Sequence, residues 1–159
     1  MPEATTGGLR LRLPVELRWA DTDQYGHINN VAFVRYAEEA RIRAFGLPDQ
    51  PQSADPRREP PVLAHLGTDT FTITGGQRIE YVRELPYRGQ SVLTEVWLSR
   101  IGSRSLDMDC RIVDQDDVEY AIATVSLVIM DVASRRPRPL TEEESDRLRR
   151  YLGPGVTFR

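Results

Sequence analysis

The chain has 159 residues, of which 40% are apolar and 28% charged, and its formal net charge at pH 7 is −3. This size and composition are typical of one globular domain, so a single domain over residues 1–159 is predicted, with its core at about 9–133. The slightly acidic balance argues against a nucleic-acid partner, which would require a basic surface. All 21 basic residues are Arg, so any anion site must use guanidinium groups, although coding bias is the simpler explanation of this usage.

Cysteine content and hydropathy exclude further classes of protein. Cys110 is the only cysteine, which excludes an internal disulfide and a cysteine-based zinc cluster. A reducing, cytoplasmic location is therefore expected. Residues 1–8 lack the basic start and apolar run of a secretory signal, and no window approaches the roughly 18 apolar residues of a membrane span. No membrane partner is expected, and the first residues are predicted to be frayed.

The first two predicted elements are a strand and a long helix. Apolar and charged residues alternate loosely over 9–19, which predicts a half-buried strand, and Pro14 favours an edge position. From Asn30 the apolar residues recur at spacings of three and four, which predicts a helix of about four turns. Asn29 or Asn30 can cap its start, and Gly46 is a usual end. The apolar stripe is broad, so we expect the helix to be enclosed on more than one side.

After an exposed loop predicted at 49–61, the chain becomes rich in β-strand patterns. The last strand is apolar on both faces and is expected to lie centrally, while alternation in the strand before it predicts a buried Cys110. Short turns between the strands favour antiparallel neighbours. A polar helix follows at about 141–151, with Thr141 as its cap. The four strands are predicted at 71–84, interrupted at Gly75 and Gly76, and at 91–101, 104–114 and 119–132.

This order of elements indicates an α+β domain in which an antiparallel five-stranded sheet wraps around the long central helix, and it resembles the hotdog fold. The resemblance is most specific at residues 19–30, which read Trp-Ala-Asp-Thr-Asp-Gln-Tyr-Gly-His-Ile-Asn-Asn. This stretch is similar to the Asp-x-Asp-x-x-Gly signature of the 4-hydroxybenzoyl-CoA thioesterase-like enzymes, and its His-x-Asn-Asn end resembles the plant acyl-carrier-protein thioesterases. Weaker similarities lie at 45–48, 79–81, 92–94 and 104–105.

The resemblance implies an acyl-CoA thioesterase. Hydrolysis of a thioester needs a carboxylate that attacks the carbonyl or activates water, and a donor that stabilises charge on the carbonyl oxygen. The catalytic carboxylate of the family falls on Asp23. Its donor, a backbone N–H at the start of the helix, falls on Asn30, where a helix N-terminus offers unpaired N–H groups and a partial positive charge.

The other residues of the motif have more than one reading. His27 is an acid or base, a residue that orients the substrate, or a structural hydrogen-bonding group. Gly26 keeps a side chain away from the approaching thioester, and Tyr25 and Gly26 are expected to contact the substrate. Without the resemblance, an Asp before a helix is more often an Asx-turn residue. That interpretation is the alternative for Asp23, and Asp21 is assigned a structural role.

For the thioester carrier, the resemblance points to the turn between two late strands. Arg104 and Ser105, and more weakly Arg100, are the candidates to bind the phosphates of coenzyme A, and their alternative is an ordinary exposed turn. No cofactor is expected apart from the CoA of the substrate. The resemblance also implies a homodimer or homotetramer with active sites at the subunit interface.

The sequence also bears on a metal site and on two other functions. Asp21, Asp23, His27 and His65 lack any recognised metal-ligand spacing, so no metal site is predicted. A hotdog hydratase or dehydratase is a second function, but we would expect its Asp and His to be separated by five positions, whereas Asp23 and His27 are four apart. A noncatalytic protein that binds acyl thioesters is a third. Glu38 and Glu39 are expected to pair with neighbouring arginines on the helix.

Overall fold

In the computed structural model of the protein, residues 7–48 and 61–159 are described. The predicted frayed terminus at 1–6 and nearly all of the predicted exposed loop at 49–61 lie outside these residues. Two short 3-10 helices, Trp19–Asp21 and Val62–Leu66, accompany the main elements. The main elements are β1 (Leu11–Glu16), α1 (Asn30–Phe45), β2 (Thr70–Tyr81), β3 (Ser91–Ile101), β4 (Ser105–Val113), β5 (Glu119–Asp131) and α2 (Glu142–Arg149).

The five strands form one antiparallel sheet in the order β1-β3-β4-β5-β2. Each of the two hairpins β3–β4 and β4–β5 joins neighbours, as their short turns predict. The prediction that β2 and β3 are also neighbours is wrong, because β2 pairs with β5 and β3 pairs with β1. The nine residues 82–90 cross three strand spacings, about 14 Å, which is well within the reach of a chain of that length.

Two details of the strands differ from the sequence prediction. The sequence predicts that β5 lies centrally. It is an interior strand between β4 and β2, but the central strand of the sheet is β4. β2 is not interrupted at its glycines: its pairing with β5 shifts register between Thr74 and Gly76 and then continues to Tyr81. This β-bulge accommodates one extra residue without ending the strand.

Helix α1 packs on one face of the sheet, against β1, β3 and β4. Phe33, Tyr36 and Phe45 of the helix belong to the buried core that includes Leu98 and Ile112 of the sheet. The side that carries Arg35 and Glu39 is not buried, so α1 is less enclosed in the single chain than its broad apolar stripe predicts. The arrangement is the α+β hotdog fold that the sequence predicts.

Cys110 lies on the helix side of β4 and is 6% exposed. Burial, with a smaller effect of the neighbouring Asp109 charge, raises the pKa of its thiol to about 12. The prediction of a buried apolar residue is confirmed, because a thiol with this pKa stays protonated at neutral pH. No helix among the described residues is long and apolar enough to span a membrane.

The C-terminal helix is attached to the rest of the fold by Arg138. Its guanidinium makes a two-pronged ion pair with Glu144 of α2, at 2.8 and 2.9 Å. It also donates to Thr70 Oγ1 at 3.0 Å and to the carbonyl of Leu66 at 3.1 Å. Glu144 in turn completes a capping box with Thr141, as the sequence predicts. Arg138 therefore links α2, the start of β2 and the 3-10 helix before it.

We expect Arg138→Lys to lower the free energy of unfolding by about 1–3 kcal/mol, because an ammonium group cannot reproduce these fixed, partly buried contacts. Urea unfolding at pH 7 measures the change. The matched control is Arg149→Lys, whose exposed ion pair with Asp146 on α2 is expected to contribute less than about 1 kcal/mol. Equal effects of the two variants would contradict the role of Arg138.

Candidate active site

The loop between the first 3-10 helix and α1 is closed at its base and held against a neighbouring segment. The N–H of Asn29 donates to the carbonyl of Asp21 at 2.8 Å, and the N–H of Asp23 donates to the carbonyl of His27 at 2.8 Å. Gly26 lies at the tip with φ of 78°, where a Cβ would meet no atom within 4 Å. The loop therefore requires glycine for its backbone angle and not for space within the chain.

The Asp23 carboxylate uses only one of its oxygens within the loop. Its Oδ1 accepts the N–H of Tyr25 at 2.8 Å and that of His27 at 3.2 Å. This is the Asx-turn arrangement that the sequence offers as an alternative. Among residues 7–48 and 61–159, no group donates a hydrogen bond to Oδ2. The loop thus orients the carboxylate and leaves one oxygen available for a substrate or a water molecule.

The first turn of α1 leaves one backbone donor available beside this carboxylate. Asn29 caps the helix: its Oδ1 accepts the N–H of Val31 and its carbonyl accepts the N–H of Ala32, both at 2.9 Å. In the described part of the chain, the N–H of Asn30 donates to no acceptor. Unpaired donors at a helix start carry partial positive charge, so this position suits a developing oxyanion.

Asp23 and Asn30 line the same surface depression, which has a volume of about 670 Å³. Tyr25 and His27, also predicted from the motif, lie in its wall. Further lining residues that are not predicted from the sequence include Phe33, Tyr81, Arg83 and Glu84. Tyr81 also donates its hydroxyl to the carbonyl of Asn30 at 3.1 Å. The last three of these come from the end of β2 and from the link after it. They lie beside the loop because β2 pairs with β5.

The His27 imidazole faces the link that follows β2. Its Nε2 lies 3.6 Å from a carboxylate oxygen of Glu84, and the His27 side chain is about one-third exposed. The distance is longer than a hydrogen bond. All three roles considered for His27 therefore stay predictions.

Asp21 is 9% exposed and has fixed partners. The Tyr36 hydroxyl of α1 donates to its Oδ2 at 2.7 Å, and Arg35 lies 3.7 Å from its Oδ1. Burial raises the pKa of Tyr36, and the hydrogen bond to Asp21 adds to this effect. The contacts place Asp21 at the base of the loop, where it joins the loop to the helix.

Arg100, Arg104 and Ser105 do not reach this depression within one chain. They lie where β3 turns into β4, whereas the loop adjoins the end of the sheet at which β1 and β3 pair through Glu16 and Ser91. The length of β4 that separates the two ends is about 26 Å. A site that combines these arginines with Asp23 requires a second chain.

Within that turn, the two arginines have different surroundings. The Arg100 guanidinium donates to both carboxylate oxygens of Asp107, at 2.6 and 3.1 Å, and to the hydroxyl of Ser105 at 3.0 Å. The hydrogen bond to Asp107 raises the pKa of Arg100. Arg104 is exposed, and no side-chain contact is found for it in the described part of the chain. Arg104 is the available cation of this turn.

Metal-ligating geometry is not found in the described ranges, where no three His, Cys, Asp or Glu side chains are grouped to hold an ion. His65 is exposed and lies beside α2, with its Nδ1 3.0 Å from Arg147. Glu38 and Glu39 pair with Arg41 and Arg43, as expected for helix neighbours.

The sequence model of the thioesterase-like superfamily matches residues 17–148. A curated protein of Bacillus subtilis, the uncharacterized protein YsmA, is 25% identical over 135 residues, which cover 84% of this chain and 82% of that protein.

Solved structures show the same fold. A predicted thioesterase from Bacillus stearothermophilus superposes with a TM-score of 0.72 at 23% identity, covering 92% of this chain and 99% of that one. A thioesterase from Thermus thermophilus, solved with coenzyme A and Zn, superposes with a TM-score of 0.65 at 27% identity, covering 87% and 91%.

We expect Tyr36→Phe to lower the free energy of unfolding by about 1–3 kcal/mol, because the buried Asp21 carboxylate loses its hydroxyl donor. Denaturant unfolding at pH 7 measures this change. Tyr25→Phe is the control, since Tyr25 is 74% exposed and a surface change of this kind is expected to stay within about 0.5 kcal/mol. A Tyr36→Phe variant as stable as the control would show that the contact does not fix the loop.

Proposed function

The chain belongs to the thioesterase-like superfamily of thioester hydrolases, and from this membership we propose that it hydrolyses an acyl-CoA to a carboxylic acid and free CoA. The observation that carries the proposal is the pairing of two unused groups in one depression. These groups are Oδ2 of Asp23 and the N–H of Asn30. Thioester hydrolysis needs one group of each kind.

In the proposed reaction, the thioester carbonyl oxygen accepts the N–H of Asn30 at the start of α1. Asp23 then either attacks the carbonyl carbon through Oδ2 or removes a proton from a water molecule that attacks it. By the first route the acyl group and Asp23 form a mixed anhydride as the C–S bond breaks, and a water molecule then hydrolyses the anhydride to the carboxylic acid and free Asp23. By the second route the attacking water oxygen enters the carboxylic acid directly as the C–S bond breaks. By both routes the sulfur takes up a proton and leaves as a thiol. His27 beside Glu84 is a candidate for orienting the substrate or moving a proton.

Two observations support CoA as the carrier. The Thermus thermophilus thioesterase, which is 27% identical to this chain, was solved with coenzyme A bound. Arg104 is an exposed arginine in the turn where the resemblance places the phosphate-binding residues. We propose that Arg104 and Ser105, and to a lesser degree Arg100, bind the CoA phosphates, with Tyr25 and Gly26 near the thioester.

We propose that the active unit is a homodimer, or a tetramer of two such dimers. β2 is a twelve-residue edge strand, and a long unpaired edge favours association with a second strand. Antiparallel pairing of two β2 strands places the Tyr81 end of one beside the Thr70 end of the other. The Thr70 end belongs to the end of the sheet that carries the Arg104 turn. The dimer thus brings the two halves of the proposed site towards each other.

A single domain over residues 1–159 and a cytoplasmic location stay predictions. They are compatible with a homodimeric thioesterase that acts on a small-molecule acyl thioester.

We expect Asp23→Asn to lower kcat/KM for release of free thiol by at least about 100-fold, because the amide can neither attack the carbonyl nor accept a proton from water. Thiol release is followed with a panel of short, long and aromatic acyl-CoAs. Asp116→Asn, an exposed carboxylate in the turn before β5, is the control and is expected to retain full activity.

Other outcomes of this assay discriminate among the functions. Unchanged hydrolysis by Asp23→Asn would remove Asp23 from the mechanism. Saturable binding of acyl-CoA without thiol release would favour a noncatalytic binding protein. Addition of water to an unsaturated acyl-CoA without loss of the thiol would favour a hydratase.

For the assembly, light scattering after gel filtration is expected to give two or four times the 18.1 kDa of one chain. Ile73→Lys is expected to shift the protein towards smaller species, because Ile73 is an exposed apolar residue of β2 and charges on an edge strand oppose pairing. Leu152→Lys, an exposed apolar position outside β2, is the control. A monomeric native protein would contradict the proposed dimer.

A further inference from the structure

A second cavity, of about 280 Å³, lies between α1 and the sheet, where residues of β2, β3, β4 and β5 line it. Its walls combine apolar residues with the polar residues Glu38, Arg41, Thr74, Gln77, Arg78, Asp109 and Thr124. The apolar residues include Val34, Ala37, Ile79, Met108, Cys110 and Val125. The cavity shares no lining residue with the depression that holds Asp23.

Arg41 of α1 also lines this cavity, and it is only 8% exposed. Its guanidinium makes no hydrogen bond within the described ranges, and its charge partner there is Glu38, with Nη2 and Oε1 separated by 3.7 Å. Glu38 itself is well exposed. Burial lowers the pKa of Arg41, while the Glu38 charge acts in the opposite direction.

Asp109 also lines the cavity, but its carboxylate is held by other groups. Asp109 accepts the hydroxyls of Ser99 and Thr124, each at 2.8 Å, and the N–H of Val156 at 2.6 Å. Its two oxygens are thus already engaged. Arg41 is buried and, within the described residues, none of its five N–H donors has a hydrogen-bond acceptor; a poorly compensated buried charge is costly.

The cavity adjoins the proposed site of thioester hydrolysis. Phe33 lines the first depression and Val34, the next residue of α1, lines the cavity; on β2, Tyr81 lines the first and Ile79 the second. Asn30 and Arg41 are separated by about 16 Å along the helix axis. The gap from the guanidinium to the Asn30 N–H is shorter, because helical side chains lean towards the N-terminus.

We propose that the cavity receives the far end of the acyl group and that Arg41 binds a carboxylate there, so that the preferred substrates are monothioesters of dicarboxylic acids. This inference rests on the proposed function. The apolar residues of the walls accommodate the methylene chain between the two carbonyl carbons. The planar guanidinium matches a carboxylate with two parallel hydrogen bonds, which replace the water that Arg41 loses on burial.

The test compares CoA thioesters of equal chain length that end in a carboxylate, a methyl ester or a methyl group, over about five to ten carbons. The native protein is expected to show a higher kcat/KM for the carboxylates at one or more lengths. Arg41→Gln is expected to lose about 10- to 100-fold on these substrates and to be little changed on the neutral ones. Arg43→Gln, an exposed arginine of the same helix, is the control and should keep the native preference.

Arg41→Lys keeps the charge and serves as a second variant if Arg41→Gln does not fold, which circular dichroism checks. It is expected to retain a weaker preference for the carboxylates, because an ammonium cannot make the paired contact. A native enzyme that prefers neutral acyl groups at every length would overturn the inference and leave the thioesterase function intact. An equal loss on all substrates in Arg41→Gln would do the same.

Binding of the free acids tests the cavity without catalysis. Titration calorimetry with the dicarboxylates is expected to show binding that is weaker by about 10-fold or more in Arg41→Gln, and weaker binding of monocarboxylates of the same length by the native protein. Absence of thiol release from every thioester would reject the proposed function alone. Absence of dicarboxylate binding by the native protein would overturn the assignment of Arg41.

Discussion

The buried hydrogen bond between Tyr36 and Asp21 is the contact on which the geometry of the candidate site depends. Tyr36 lies in the second turn of α1, so the bond attaches the segment before the loop to the helix that follows it. The same Asp21 accepts Asn29 through its carbonyl. Both ends of the loop between Asp21 and Asn29 are consequently attached to α1. Asp23 and the Asn30 N–H can then be held in fixed relation without any direct contact between them.

The part of the site that could be predicted from the sequence is the part that is local. Asp23, Asn29 and Asn30 lie within eight positions, and their arrangement follows from loop and capping chemistry that short sequences specify. Tyr81 and Glu84 could not be predicted in the same way, because their approach depends on β2 pairing with β5. Which strand pairs with β2 is determined by long-range packing, and the short link at 82–90 does not indicate it.

The arginines show a similar limit. In the sequence, Arg41 is one of several charges on α1, and pairing with Glu38 is the ordinary expectation. In the structure, Arg138 donates hydrogen bonds to Thr70 and Glu144, and Arg100 donates to Asp107. Arg41 lines a cavity, is buried, and donates no hydrogen bond within the described residues. The residue type is the same in each case. Its function differs because burial and the supply of acceptors differ, and both are properties of the folded chain.

The proposed oxyanion donor belongs to the backbone, so the effect of a substitution at position 30 does not depend on the side chain that is removed. Replacing the Asn30 side chain leaves the N–H in place, so most substitutions would not affect its hydrogen bond to the substrate. Proline is the exception. It is favoured at the first position of a helix, and Asn29 already has the extended conformation that a following proline demands. Asn30→Pro would therefore remove the N–H donor while retaining the helix, and a kcat unchanged by it would show that the donor lies elsewhere.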